Sequence, residues 1–330
     1  MTGLNRALID TLTRPGPRLS EIESWLLKDI WTADRFTGCG SSPSLYLKSG
    51  EKLVNEREVL LTAAAESIFD ELITASAGYE AVSAFLSEHP DGGVVIFDGC
   101  SLREMPRLLA LAETSRRPVL AASCGRSALP SATEYFISDR LGLGLPAVGP
   151  SQLVPRHEFR ERGISYHYFQ APNEAQIVSD ESKALLLWSR FPDLRFMDSS
   201  ACSAEMYDGI WDGFDLAWRN TVQAISAERT ILVTSDHGYI FLGAGLSDQN
   251  LEGIDRPLAG KRVRQFSQDE ELPEGNPNIW LDQMRRIAAV KGRCHNRPQA
   301  PSASRSLYRH GGISLMEVLT PWLVLGPMEG

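Results

Sequence analysis

Val94-Val95-Ile96-Phe97-Asp98-Gly99 is the stretch on which the fold of this chain turns. Four consecutive apolar residues are too few for a buried helix, and they lack the alternation of a strand with one wet face. That is how a parallel strand covered on both sides reads. The turn His89-Pro90-Asp91-Gly92-Gly93 precedes it, and an acid followed by glycine ends it. Comparable runs recur at 119–122, 164–169, 194–197, 231–234 and 322–325, with helical patterns between them. Strand alternating with helix predicts an α/β protein built on a doubly wound, mainly parallel sheet with flanking helices.

Upstream, residues 1–90 read as a mainly helical region. Ser20 and Glu23 have the spacing of a capping box beside Ile22, Trp25, Leu26 and Ile30. In 51–75, Val54, Leu60, Leu61, Ala64, Ile68 and Leu72 recur at three- and four-residue steps, and a third helix is expected at 79–88. Downstream, 91–330 reads as the α/β domain. It is interrupted at 243–305 by a loop-rich insertion with the basic run Gly260-Lys261-Arg262-Val263-Arg264 and one expected helix near 278–290. Such an insertion would cap the sheet edge.

The 330 residues have room for roughly two domains. With 43% hydrophobic and 23% charged residues, wholesale disorder is excluded. A net charge of −9 argues against sequence-independent DNA binding, which draws its affinity from phosphate neutralisation. The sequence holds no apolar stretch near the ~20 residues of a membrane span, and its first residues lack a signal-peptide pattern. Five cysteines without a CxxC pair fit reduced thiols. A cytoplasmic protein without a membrane partner is expected.

Several chemistries are missing: the sequence has no Gly-x-Ser-x-Gly elbow, no phosphate-binding P-loop, no dinucleotide glycine motif and no HExxH. Ligands of an open α/β sheet bind at the carboxyl ends of strands. Three expected strand ends carry suitable groups there: Asp98, Asp198 and Ser235-Asp236-His237-Gly238. A carboxylate and an imidazole where the chain leaves the sheet can converge on one divalent metal. The plainer alternatives are an N-cap for Asp98 and a hydrogen-bonded turn for Asp236 and His237.

Asp98-Gly99, Leu129-Pro130-Ser131-Ala132-Thr133, Asp198, Ser235-Asp236-His237-Gly238 and Tyr308-Arg309-His310-Gly311-Gly312-Ile313-Ser314, with Glu317 beyond, resemble in chain order the motifs of the PglZ family of the alkaline phosphatase superfamily. The likeness spans roughly 90–330 and implies that 91–330 is the catalytic domain. It implies an alkaline-phosphatase-like fold and a metal-dependent phosphoesterase, by preference a phosphodiesterase acting on a nucleotide-type phosphate ester. It further implies two divalent ions, taken as zinc. Asp98, Asp236 and His237 would hold one, His310 and Asp198 the other, and Thr133 would be the nucleophile bridging them. Superfamily members place a histidine four residues after the aspartate matching Asp198. Here Cys202 stands there, either as a thiolate ligand or as the mark of a lost second ion. The same resemblance implies protein partners in a bacterial phage-defence (BREX-like) or signalling system. Its alternative is a catalytically impaired PglZ domain that serves as an assembly module.

Contacts to a substrate phosphate are sought in Arg103 and in Lys261, Arg262 and Arg264, since guanidinium groups match phosphate oxygens. An ion pair is the alternative for Arg103 and a solvated loop for the others. Asp208, Asp212 and Asp215 share one face of an expected helix at 203–225, as a solvated acidic face or, for Asp208, as a substitute ligand.

Overall fold

Successive side chains of a strand point to opposite faces, and in the computed structural model of this chain that alternation divides the core into two layers. The structure describes residues 18–328, apart from 65, 78, 80, 142–148, 154–158, 160, 177, 179–183, 197–202, 243–257, 259–260, 274 and 294–306. In chain order the strands are β1 (Gly93–Phe97), β2 (Val119–Arg126), β3 (Ile164–Phe169), β4 (Ala184–Ser189), β5 (Ile231–Thr234), β6 (Ile240–Phe241), β7 (Val263–Gln265), β8 (Ile279–Asp282), β9 (Ile287–Val290), β10 (Tyr308–Arg309) and β11 (Leu319–Leu325). The main sheet has the order β2-β11-β5-β1-β4-β3. β1 runs parallel to β4 and β5, and β3 parallel to β4; β11 runs antiparallel to both β2 and β5. The sheet is therefore mainly parallel, as expected.

The helices are α1 (Leu19–Trp25), α2 (Ala33–Gly38), α3 (Pro43–Ala64), α4 (Glu66–Ser76), α5 (Ala81–Glu88), α6 (Met105–Thr114), α7 (Thr133–Arg140), α8 (Asp193–Phe196), α9 (Met206–Asn220) and α10 (Leu315–Val318). Val95, Phe97, Leu185, Leu187, Ile231 and Val233 face one layer, where they pack with Leu26, Trp31, Tyr46, Val54, Ile68 and Leu72 of the N-terminal helices and with α6 and α9. Val94, Ile96, Leu186, Trp188 and Leu232 face the other, against α5 and α7. The side chains of Leu60, Leu61 and Ala64 lie outside the described residues.

Four local expectations differ from what is found. Ser20 sits inside α1, and the orphan amides at the start of that helix, Arg18 N–H and Leu19 N–H, donate to Glu71 Oε2 of α4 at 2.7 and 3.0 Å. A partner helix supplies the cap in place of a capping box. The strand expected at 194–197 is instead α8 through residue 196, and the strand of that unit is β4, Ala184-Leu185-Leu186-Leu187-Trp188-Ser189, buried throughout. Leucine-rich runs of this length read equally well as helix or strand. Pro192, just ahead of α8, has no amide hydrogen for a ladder but is compatible with a helix start.

The helix expected near 278–290 is the hairpin β8–β9. Asp282 Oδ1 accepts from Arg285 N at 2.9 Å, and Arg286 takes the left-handed conformation at φ 53°. With β7 it forms an antiparallel sheet of order β7-β9-β8 over a small core of Leu258, Phe266, Ile279, Ala288 and Val290. The basic run thus enters a strand in place of a solvated loop. Among the described residues, no helix is long and apolar enough to cross a membrane, and Cys39, Cys100 and Cys124 are free thiols.

Leu187 is fully buried in the middle of β4. Leu187→Ala should lower unfolding free energy by about 2–5 kcal/mol through lost transfer energy plus the cavity left behind, measured by urea denaturation.

Candidate metal centre

β5, β1 and β4 are neighbours, so the segments leaving their carboxyl ends share one rim of the sheet. Asp98 follows β1; its N–H donates to Ser189 O of β4 at 2.9 Å, and its own carbonyl accepts from Asp193 N at 2.9 Å. Gly99 makes that approach possible. It adopts φ +75°, and a Cβ there would come within 3.1 Å of Asp193 Cβ. Asp98 is not a helix cap, because Ser101 and Glu104 form a complete capping box ahead of α6.

Asp98 Oδ2 accepts from Trp188 Nε1 at 3.1 Å, and Oδ1 lies 3.5 Å from His237 Nε2. Asp236, the second residue beyond β5, accepts Gly99 N–H on Oδ1 at 3.1 Å and the Thr133 hydroxyl on Oδ2 at 2.6 Å. Asp236 Oδ2 also lies 3.6 Å from His237 Nε2. His237 Nδ1 is 2.9 Å from Gly238 O. A proton on Nδ1 satisfies that carbonyl and leaves the Nε2 lone pair turned toward the two carboxylates.

Pairing of β6 with β10 brings the His310 loop alongside. The His237 and His310 rings stack at 4.0 Å with 10° between their planes, and His310 Nε2 lies 3.7 Å from Asp193 Oδ1. Two groups of potential ligand atoms result, each within 4.8 Å: Asp98–Asp236–His237 and Asp193–His237–His310. His237 belongs to both. The sequence alone does not single out Asp193. The signal that locates it is an acid shortly after a fully buried strand, and it becomes legible once the strand is placed at 184–189.

The donor set fits a divalent cation. Asp98 Oδ1, Asp193 Oδ1, His237 Nε2 and His310 Nδ1 are buried without a hydrogen-bond partner, an arrangement that is costly unless something else meets these atoms. Burial, with Asp236 and Asp193 nearby, pushes the Asp98 carboxyl well above its ordinary range. Burial also raises Asp236, against the opposing hydrogen bond from Thr133. For His237, burial and the neighbouring His310 lower the imidazole to about 3, so it is neutral and available as a ligand.

The remaining sequence candidates are placed as follows. Asp198 and Cys202 lie outside the described residues. Arg103 is fully buried, with Nε and Nη2 on Glu51 Oε1 at 2.7 and 2.6 Å and Nη1 on Tyr239 O at 2.8 Å; it is an interior ion pair rather than a phosphate contact. Arg262 is likewise buried, in a two-point pair with Glu317 at 2.6 Å to each oxygen. Arg264 pairs with Glu270, and Lys261 is exposed. Asp208 Oδ1 accepts Ser44 N–H at the start of α3, at 2.8 Å, and Asp215 pairs with Arg107; Asp208 thus serves a helix start.

No protein-family profile and no curated protein matches the sequence. Among solved structures, the fold is similar to murine ectonucleotide pyrophosphatase/phosphodiesterase 5, including an inactive form in complex with AMP, at 13% identity and TM-score 0.46 over 72% of this chain and 88% of that one. It is also similar to phosphonoacetate hydrolase from Sinorhizobium meliloti 1021 in complex with phosphonoacetate, at 12% identity and TM-score 0.35 over 71% and 89%. Backbones at such scores diverge widely, and the chemistry of this site is read from its own atoms.

Two outcomes follow from the geometry. Because the fold raises the pKa of Asp98 and Asp236, their carboxyls hold protons to higher pH than free aspartate, and a cation must displace them. Metal affinity should therefore climb as pH rises above the ordinary carboxylate range, with proton release seen by calorimetry in two buffers of different ionisation enthalpy; neutral His237 adds none near pH 7. Gly238→Ala would place a Cβ 2.2 Å from Met316 O. It should destabilise the fold by about 1–3 kcal/mol and weaken metal binding, checked by thermal melts alongside the same titration.

Proposed function

We propose that this chain is a metal-dependent phosphoesterase of PglZ type, by preference a phosphodiesterase for nucleotide-type esters. The observation that carries the reading is one juxtaposition: the Thr133 hydroxyl donates to Asp236 Oδ2 at 2.6 Å, and that carboxylate belongs to the buried Asp98–Asp236–His237 group. Asp98, Asp236 and His237 would hold one divalent ion, with zinc as the first choice for such nitrogen and oxygen donors. Asp193, His310 and the shared His237 would hold a second, in the role that the family resemblance gives to Asp198 with His310. When bound, such ions supply Lewis-acid stabilisation of the phosphoryl oxygens and make a hydroxyl a competent nucleophile near neutral pH.

The chain's own residues do the rest. Thr133 opens α7, so negative charge developing at phosphorus meets the positive end of a helix. Its Oγ1 attacks phosphorus in line as the proton leaves along the hydrogen bond to Asp236 Oδ2, and the ester oxygen departs with its electron pair. Water then attacks the phosphoryl-threonine and loses a proton to solvent, the P–Oγ1 bond breaks, and Thr133 Oγ1 recovers its proton from Asp236 Oδ2. Ser131 Oγ donates to Gly312 O at 2.7 Å and Ser127 Oγ to Asp236 O at 2.5 Å, tying the Thr133 segment to both ligand loops. The ordered motifs support a PglZ-type setting, with partners in phage defence or signalling.

Hydrolysis of bis(p-nitrophenyl) phosphate by the purified chain should vanish on chelation and return with Zn2+ or Mn2+. Thr133→Ala should lose on the order of a thousandfold or more in kcat while retaining bound metal, and Asp193→Asn should lose roughly 10–100-fold. A Thr133→Ala protein as active as wild type would end the nucleophile assignment. A folded, metal-loaded wild type without hydrolysis would favour the assembly-module alternative.

A further inference from the structure

Helix α3 carries two carboxylates that the chemistry above does not use. Glu51 and Glu58 are seven residues apart, two turns along one helix face, and both are fully buried. Buried carboxylates are costly unless donors and opposite charge meet them, and what meets these two leads in each case to a ligand loop of the metal centre.

Glu51 lies between two arginines. Oε1 accepts from Arg103 Nε at 2.7 Å and lies 2.6 Å from Nη2 in an ion pair, and Oε2 accepts from Arg293 Nη2 at 2.7 Å. Arg103 Nη1 then donates to Ser101 Oγ at 3.0 Å and to Tyr239 O at 2.8 Å. Ser101 is three residues beyond Asp98, and Tyr239 two beyond His237. Glu104 joins the same segments from within, accepting Ser101 N–H at 2.7 Å and the Tyr239 hydroxyl at 2.7 Å. Arg293 Nη2 donates to Phe241 O at 2.8 Å, and its neighbour Gly292 N–H donates to Ile313 O at 2.8 Å, in the His310 loop. Glu58 reaches that loop directly, since Oε1 accepts Leu315 N–H at 2.9 Å. Glu317, on Gly312 N–H at 2.9 Å and on Arg262, holds the other side of it.

We propose that Glu51 and Glu58 are positioning residues of the metal centre, holding the Asp98, Asp236–His237 and His310 loops in register through Arg103, Arg293 and the Leu315 amide. The N-terminal helices are then a working part of the catalytic unit and not a detachable module. The inference rests on the phosphoesterase reading. Its physical basis is that three loops from distant parts of the chain must present ligand atoms within a few tenths of an ångström, and the tie common to all of them is one helix face.

The test titrates Zn2+ into the metal-free 330-residue chain in competition with a chelator, with thermal melts of every variant. Glu51→Gln and Glu58→Met should each weaken Zn2+ binding by about 10–100-fold, as loss of outer supports to metal ligands does, and lower kcat with little change in KM. Glu51→Gln leaves two arginines facing half a partner, so a second variant removes the charges together. E51L/R103M/R293M keeps the buried volume apolar, as replacements of buried ion triads tolerate. It should melt near wild type yet bind Zn2+ at least tenfold more weakly. A purely structural role would move the melting temperature and leave Zn2+ affinity alone. Folded E51L/R103M/R293M and E58M proteins with wild-type Zn2+ affinity would overturn the assignment while the phosphoesterase reading stands. A wild-type chain that binds neither Zn2+ nor Mn2+ would overturn both.

Discussion

Two buried aspartate side chains, Asp98 and Asp236, lie 3.5 and 3.6 Å from the same nitrogen of the buried His237 imidazole, and the candidate site is organised around that convergence. Like charges this close oppose one another, and burial removes the solvent that would screen them. The acids are pushed toward their protonated forms and His237 toward its neutral one. Such a pocket is satisfied by a positive charge among its acceptors, either protons on the carboxyls or a divalent cation. The orphaned oxygens and nitrogens of Asp98, Asp193, His237 and His310 all belong to this one neighbourhood.

Holding acceptors together against their own repulsion needs a stiff frame. The parallel strands β5, β1 and β4 deliver three segments to one rim. The β6–β10 ladder delivers a fourth with His310. Below that rim, buried ionic groups take over from the ladders: Glu51 with Arg103 and Arg293, Glu104 with Tyr239 and Ser101, and Glu317 with Arg262. Ion pairs of this kind add little net stability over well-packed apolar residues. Their directional bonds instead fix loop backbones, as the links to Ser101, Tyr239, Gly312 and Leu315 do. The antiparallel sheet β7-β9-β8 adds a further brace through the bridge between Lys291 and Ile313.

The site residues legible in the sequence are those whose environment is local. Asp98 announces itself because Val94–Phe97 can only be a covered strand, and Asp236-His237-Gly238 follows 231–234 for the same reason. Asp193 is not legible: the runs 184–189 and 194–197 both pass for strands, and a strand at 194–197 has Asp198 as its strand-end acid. Arg103 and Arg262 looked available for phosphate because a sequence lists charges without their partners. Glu51 and Glu58, spaced on a helix like surface acids, give no sign of burial until α3 meets Arg103, Arg293 and the Leu315 amide.

Sequence by itself determined the class of the fold and marked Asp98, Asp236 and His237 as groups at strand ends, because periodicity and strand-end chemistry act over a few neighbouring residues. Tertiary structure alone decided which of them meet: the partnership of Asp193 with His310, the stacking of His310 on His237, the hydrogen bond from Thr133 to Asp236, and the seating of α3 beneath all three loops. The reason is that these contacts join residues tens to hundreds of positions apart. Their energy depends on distance and burial in space, quantities that no local pattern of residues encodes.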